Sequence, residues 1–150
     1  MDQKSSINEG NALRIIIAGS SDFNNYEMLR EKSKETISRL LSKYPGATIT
    51  IVSGTARGAD QLGERFAKEC GYTLKRFPAN WKLYRGQAGP VRNRQMLNFA
   101  KEKTGILIVF WDGISRGTAN MIGIAKEAGI PVFVFMYRNH ALAEGLHGVD

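Results

Sequence analysis

The chain has 150 residues and a formal net charge of +7, with 43% hydrophobic and 23% charged residues. That length holds one well-cored domain and is short for two, and the composition excludes a disordered chain. No apolar run approaches the roughly 20 residues that cross a bilayer, and the lone Cys70 cannot form an internal disulfide, which fits a reducing cytoplasm. The positive charge favours an anionic partner, which can be a nucleotide, a nucleic acid or an acidic protein.

Residues 1–13 are largely polar and read as a flexible leader, with no signal-peptide pattern. Arg14 to Gly19 (RIIIAG) is a continuous apolar run, the pattern of a strand buried on both faces. A helix is predicted from about Asn25 to Tyr44, with Leu29, Ser33, Ile37, Leu40, Leu41 and Tyr44 on one face and Pro45-Gly46 as its stop. The second strand is Thr48 to Ser53. The second helix, Ala59 to Cys70, turns Leu62, Phe66, Ala67 and Cys70 inward and ends at Gly71.

Tyr72 to Phe77 reads as a third strand and Asn80 to Gly89 as an irregular loop. Pro90 suits the first position of a helix reaching about Lys103, with Asn93, Met96, Leu97 and Ala100 inward. Gly105 to Trp111 (GILIVFW) is the most apolar strand and is therefore expected at the centre of the sheet. A helix over Thr118 to Ala128 and a strand over Val132 to Met136 complete the alternation. The domain is thus expected over residues 14–137, with a C-terminal tail at 138–150. Strands separated by helices imply an α/β fold, a Rossmann-like three-layer sandwich around a parallel sheet of about five strands.

Open parallel sheets bind ligands beyond the carboxyl ends of their strands. The segments leaving those ends are Gly19-Ser20-Ser21-Asp22-Phe23, Ser53-Gly54-Thr55-Ala56-Arg57-Gly58, Pro78-Ala79-Asn80-Trp81 and Asp112-Gly113-Ile114-Ser115-Arg116-Gly117-Thr118. Glycine admits close approach of an anion to the backbone, and a helix N-terminus offers unpaired amides and partial positive charge. Arg57 and Arg116 add guanidinium groups suited to phosphate oxygens, and are expected on two sides of one anion pocket. In Gly89-Pro90-Val91-Arg92-Asn93-Arg94, Asn93 lies on the inner face and the two arginines sit about 100° to either side, able to flank a common ligand. Each arginine can equally be a solvated surface charge, and each glycine loop a plain turn.

Known phosphate fingerprints are missing. There is no GxxxxGK[ST] and no GxGxxG after the first strand, which argues against a P-loop NTPase and an ordinary NAD-binding domain. No metal-ligand constellation and no cofactor signature stand out. His140 and His147 fall in the tail, Cys70 reads as core, and Ser53 and Ser115 have no histidine near them in the chain. Trp81 and Trp111 are candidates to stack on a base; Trp111 ends a buried strand, where core packing is the plainer role.

The segments IIIAGSSDF, IVSGTARGAD, KRFPANW, GPVRNRQM and ILIVFWDGISRGTANMI, in this order from residue 15 to residue 122, resemble the SLOG superfamily, named for Smf/DprA and LOG proteins, and most closely its YspA-like branch. The resemblance implies a Rossmann-like domain binding nucleotides or nucleotide-derived ligands at its glycine loops; some relatives bind single-stranded DNA, and LOG enzymes release a base from a nucleoside monophosphate. Two departures stand out. Ser21 occupies the place of an arginine usual in the close branch, a contact that Arg85 can supply instead, and Thr55 replaces a common loop glycine. Where LOG enzymes carry a glutamate after a Gly-Thr pair, this chain has Met121, which cannot serve as acid, base or cation stabiliser.

The leading functional expectation is a sensor or carrier that binds a nucleotide or nucleotide derivative through Gly19, Ser20, Ser21, Ser53, Gly54, Thr55, Arg57, Gly58, Trp81, Arg92, Asn93, Ser115, Arg116, Gly117 and Thr118. The alternative is a hydrolase of a nucleotide or its N-glycosidic bond, with Asp60 and Asp112 as catalytic candidates and Asp22 as a third. Each aspartate can equally cap a helix or brace a loop. Single-stranded DNA binding ranks third, because the chain lacks a dense Lys/Arg run interleaved with aromatics. No membrane partner is expected, and homo-oligomerisation is left open.

Overall fold

The structure, a computed structural model, describes residues 11–137. The expected leader and tail, including His140 and His147, lie almost wholly outside these residues. The chain alternates β1 (Ala12–Gly19), α1 (Tyr26–Lys43), β2 (Thr48–Ser53), α2 (Ala59–Cys70), β3 (Thr73–Arg76), a single turn α3 (Trp81–Tyr84), a 3-10 turn (Arg85–Gln87), α4 (Ala88–Lys101), β4 (Thr104–Trp111), α5 (Arg116–Glu127) and β5 (Val132–Met136). The strands form a five-stranded sheet in the order β3-β2-β1-β4-β5, with every pairing parallel.

Side chains on a strand alternate between the two faces, and β1 serves both. Leu13, Ile15 and Ile17 pack with Leu29, Ile37 and Leu40 of α1 and Phe66 and Ala67 of α2. Ile16 and Ala18 pack on the other face with Met96, Leu97 and Ala100 of α4 and Met121, Ile124 and Ala125 of α5. Helices on both faces make the three-layer α/β sandwich that the alternation implies. Among the described residues, no helix is long and apolar enough to cross a membrane.

Four details differ from expectation. The middle strand is β1, not β4, which lies between β1 and β5. Apolarity reports burial on both faces, and β4 has that as an interior strand, so it carries no further information on order. Second, β1 begins at Ala12 with Leu13 fully buried, so the first strand starts ahead of Arg14. That arginine is accommodated in a strand because its guanidinium lies 3.7 Å from the Phe99 ring centre and donates to Phe99 O at 2.6 Å and to Glu102 at 3.0 Å. Third, the expected irregular stretch at 80–89 contains α3 and the 3-10 turn, with Asn80 capping α3 through a bond from Leu83 N at 3.0 Å. Fourth, α4 starts at Ala88, placing Pro90 third in the helix. The first-turn amides have no intrahelical acceptor, so the missing proline N–H costs little there too.

The chain runs outward from β1 through β2 to β3, then returns to lay β4 on the other side of β1. Strand order therefore reverses between β1 and β4, and the crevice at their carboxyl ends is where a ligand is received in such sheets.

Candidate functional site

A cleft of about 160 Å³ opens there, walled by Gly19 at the end of β1 and Ser21 beyond it, Ala56 and Asp60 around the start of α2, Arg92, Asn93 and Met96 of α4, and Ser115, Gly117, Thr118 and Met121 at the cap and first turns of α5. Three helix starts meet around it.

The loop after β2 is held by side chains at each step. Ser53 is buried; its hydroxyl accepts the amide of Thr55 at 3.0 Å and donates to Glu64 Oε2 at 2.6 Å. Asp60 Oδ2 accepts the amide of Ala56 at 3.1 Å, and Arg92 Nη1 donates to Gly54 O at 2.5 Å. Thr55, standing where a glycine is common in the resembling family, adopts a left-handed φ of 66°, the backbone region that glycine favours, and Ser53 braces it. A Cβ at Gly54 would lie 2.8 Å from Asp60 Oδ2 and 2.9 Å from Arg92 Nη1, so a side chain there must displace one of these two groups. Gly58 caps α2 at φ 82° without any side-chain cap.

On the opposite wall, Ser115 caps α5 by accepting from Thr118 N, and its carbonyl takes the Trp111 indole N–H at 3.1 Å. Asp112 Oδ1 accepts the amides of Ile114 and Ser115 at 2.9 and 2.8 Å, and these amide bonds help hold its carboxyl below the usual range, against the opposing effect of burial. Buried Ser20 ties the two central strands together: its N donates to Phe110 O at 3.0 Å and its hydroxyl accepts from Asp112 N at 3.2 Å. Asn93, buried on α4, donates to Gly117 O at 3.2 Å and Asn120 Oδ1 at 2.9 Å, and accepts from Arg92 Nε at 3.0 Å. It thus fixes α5 against α4 and orients Arg92 at once. The arginine keeps hydrogen-bond donors to spare, and the first-turn amides of α5 lack intrahelical acceptors.

Asp60 is 5% exposed. Burial is the main cause that lifts its pKa from 3.8 to about 6; the Ala56 amide and Arg92 pull it down, and Glu64 adds to the rise. Below about pH 4 the carboxyl is protonated in folded and unfolded chains alike. As pH rises from there to about 6, the unfolded chain ionises first, so this group's contribution to stability is lost across that window. The unfolding free energy of the native protein minus that of Asp60→Asn is expected to fall by about 2 kcal/mol between pH 4 and pH 6 and by about 3 kcal/mol in all, levelling off above about pH 7; chemical denaturation at a series of pH values reads it. A flat difference would show that the carboxyl titrates normally.

Not every candidate converges. Arg57, Arg116 and Arg94 are exposed and do not wall the cleft, so the structure does not set Arg57 and Arg116 on two sides of it. Arg92 holds the central place. Trp81 is 61% exposed on α3, Arg85 is exposed at φ 50°, and Trp111 braces the α5 cap. Asp112 and Ser20 build loops behind the cleft, and Ser53, Gly54, Thr55 and Gly58 shape its floor without lining it. Asp22 accepts from the Tyr137 hydroxyl. Cys70 is partly buried against the core, and burial raises its thiol pKa. Ala18, Ala56 and Met96 line the cleft without having been named as site residues from the sequence, where Met96 reads only as an inward core position; apolar walls carry no motif. Among the described residues, no group of three or more His, Cys, Asp or Glu is placed to hold a metal ion.

Comparison with known proteins places this geometry. The Gene 61 protein of Mycobacterium phage D29 is 33% identical over 92 residues, which cover 58% of this chain and 71% of that protein. The solved structure of DNA processing protein A (DprA) from Streptococcus pneumoniae is similar with a TM-score of 0.59 at 18% identity, over 96% of this chain and 57% of that one. The chain thus spans little more than half the length of DprA, and the likeness is one of fold. The family described as "YspA, cpYpsA-related SLOG family" matches residues 13–84, from β1 through the second glycine loop to α3. The chain belongs to this SLOG family.

Proposed function

We propose that the cleft binds a nucleotide or nucleotide-derived ligand by its phosphate, as a sensor or carrier. One observation carries the reading: Arg92, with donors unspent, meets the first-turn amides of α5 that the Ser115 cap leaves unbonded, in a single crevice at the point where strand order reverses. The family and the DprA-like fold support a role connected with nucleotides or nucleic acids. Size narrows the pose. At about 160 Å³ the cleft is smaller than the roughly 300–1,000 Å³ of sites that enclose drug-sized ligands. It suits a phosphate and its sugar, leaving the base outside. No observation at the cleft favours single-stranded DNA over such a small ligand.

Calorimetric titration of folded, ligand-free protein with a panel of nucleoside mono- and diphosphates is expected to show micromolar binding of at least one. Silence across the panel would overturn the reading. Asp60 favours a second one, a hydrolase of the nucleotide or its N-glycosidic bond, because a buried carboxyl in a cleft with a raised pKa is the kind of group that exchanges protons with a substrate. Chromatography of the incubated panel decides between them: turnover abolished by Asp60→Asn supports the enzyme, and unchanged ligand supports the carrier.

A further inference from the structure

An anion site has no evident use for a carboxylate, yet Asp60 lines the cleft beside Arg92. Oδ2 is engaged by the Ala56 amide at 3.1 Å. The other oxygen takes no hydrogen bond among the described residues and is not sealed away from the cleft. The guanidinium of Arg92 acts on the carboxyl through its charge, without a direct ion pair. The two groups come close enough that one methyl at Gly54 would touch both, but among the described residues no ion pair joins them, and Arg92 spends its bonds on Gly54 O and Asn93. The cleft therefore presents a donor and an acceptor side by side, each with capacity left.

Resting on the phosphate reading above, we infer that Asp60 recognises a sugar hydroxyl of the ligand, accepting its hydrogen bond while Arg92 and the α5 amides hold the adjacent phosphate. A group next to a bound phosphate and facing a carboxylate must be an uncharged or cationic donor. In a nucleotide, the donors within reach of the phosphate are the hydroxyls of its own sugar. The amino groups of the base lie farther away, and the cleft lacks the volume to hold phosphate, sugar and base together. Asp60 is then a specificity-determining residue that separates sugar phosphates from bare anions. The charged groups around it are Arg92 from α4 and Glu64 from its own helix; neither accepts from the hydroxyl in its place, since Arg92 is donor-only and Glu64 does not wall the cleft.

The test compares ribose 5-phosphate with methyl phosphate, which has no hydroxyl, by calorimetry on native protein and Asp60→Asn. Hydrogen bonds to a charged acceptor predict that the native preference for ribose 5-phosphate shrinks roughly tenfold or more in the variant, while methyl phosphate binds no worse because a negative charge has gone. A second measurement needs no variant: lowering the pH of native protein from about 7.5 to about 5 protonates the carboxyl and is expected to shrink the same preference. Titration of the phosphates themselves affects both compounds alike and cancels in the ratio. An unchanged ratio in both measurements, with methyl phosphate bound, overturns the hydroxyl assignment and leaves the phosphate site standing. Failure of both compounds and of inorganic phosphate to bind removes the phosphate site, and the assignment falls with it.

Discussion

Gly58→Ala is expected to destabilise the domain by about 4 kcal/mol and to lower its melting temperature on the order of 10 °C. The residue sits at φ 82° and ψ −130°, a backbone region open in practice to glycine alone, which accounts for about 1–3 kcal/mol in any other residue. The rest is steric. A Cβ at Gly58 would run into the carbonyl oxygens of Ser20 and Ser21, and these belong to backbone that cannot retreat, since Ser20 is bonded through its N to Phe110 and through its O to Phe23 and Ala59. Overpacking of that kind typically costs a further 1–3 kcal/mol. Gly123→Ala is the internal control. That glycine is exposed inside α5 with nothing within 4 Å of an added Cβ, so the change is expected to stabilise by about 0.5–1 kcal/mol. Urea denaturation of both variants checks the pair. A loss below about 1 kcal/mol at Gly58 would mean that the loop after β1 can take another path.

The second large effect is on binding. Arg92→Ala is expected to weaken the affinity for any phosphate-bearing ligand by about 100-fold, as is usual when one partner of a largely desolvated charged contact is truncated. Arg57→Ala and Arg116→Ala are expected to change it by less than about threefold, because exposed charges are screened and contribute little. Two losses combine at Arg92: the guanidinium that faces the cleft, and the bond from Nη1 to Gly54 O at 2.5 Å that fixes the second loop. Arg92→Lys keeps the charge but loses the fork that serves Gly54 and Asn93 together, and is expected to fall between native protein and alanine. Titration of the four proteins with inorganic phosphate and with the best ligand of the nucleotide panel measures the series. Equal losses at Arg57 and Arg92 would put the anion over the second loop, outside the cleft.

The contrast among these arginines shows where reading the chain stops. Arg57 and Arg116 stand inside glycine loops beside helix starts, the local setting in which phosphate-binding arginines occur, and nothing in the chain separates them from Arg92. What separates them is a contact between Arg92 and Gly54, residues 38 apart in sequence. The same holds for Asp60 and Asp112. Both flank a glycine-bearing loop that leaves a strand, but Asp112 opens its loop and turns its oxygen onto the amides two and three residues ahead, while Asp60 follows its loop and is carried by the helix start into the cleft. Asn93 was legible as an inward polar residue on a helix, and an inward amide must find partners; that its partners are Gly117 and Asn120 of another helix was not.

The sequence by itself determined the alternation of strands and helices, the burial of both faces of the sheet, and the siting of glycine- and hydroxyl-bearing loops at the carboxyl ends of the strands. Those follow from apolar periodicity, from glycine and proline punctuation, and from the rule that parallel strands need crossovers, all of which act over a few residues. The tertiary structure alone decided that β1 rather than β4 lies at the middle, that one arginine out of several reaches the cleft, and that a buried carboxyl with a raised pKa sits beside it. Those depend on which distant segments are brought within hydrogen-bond range and on how far water is excluded between them, and neither quantity is encoded in any local pattern.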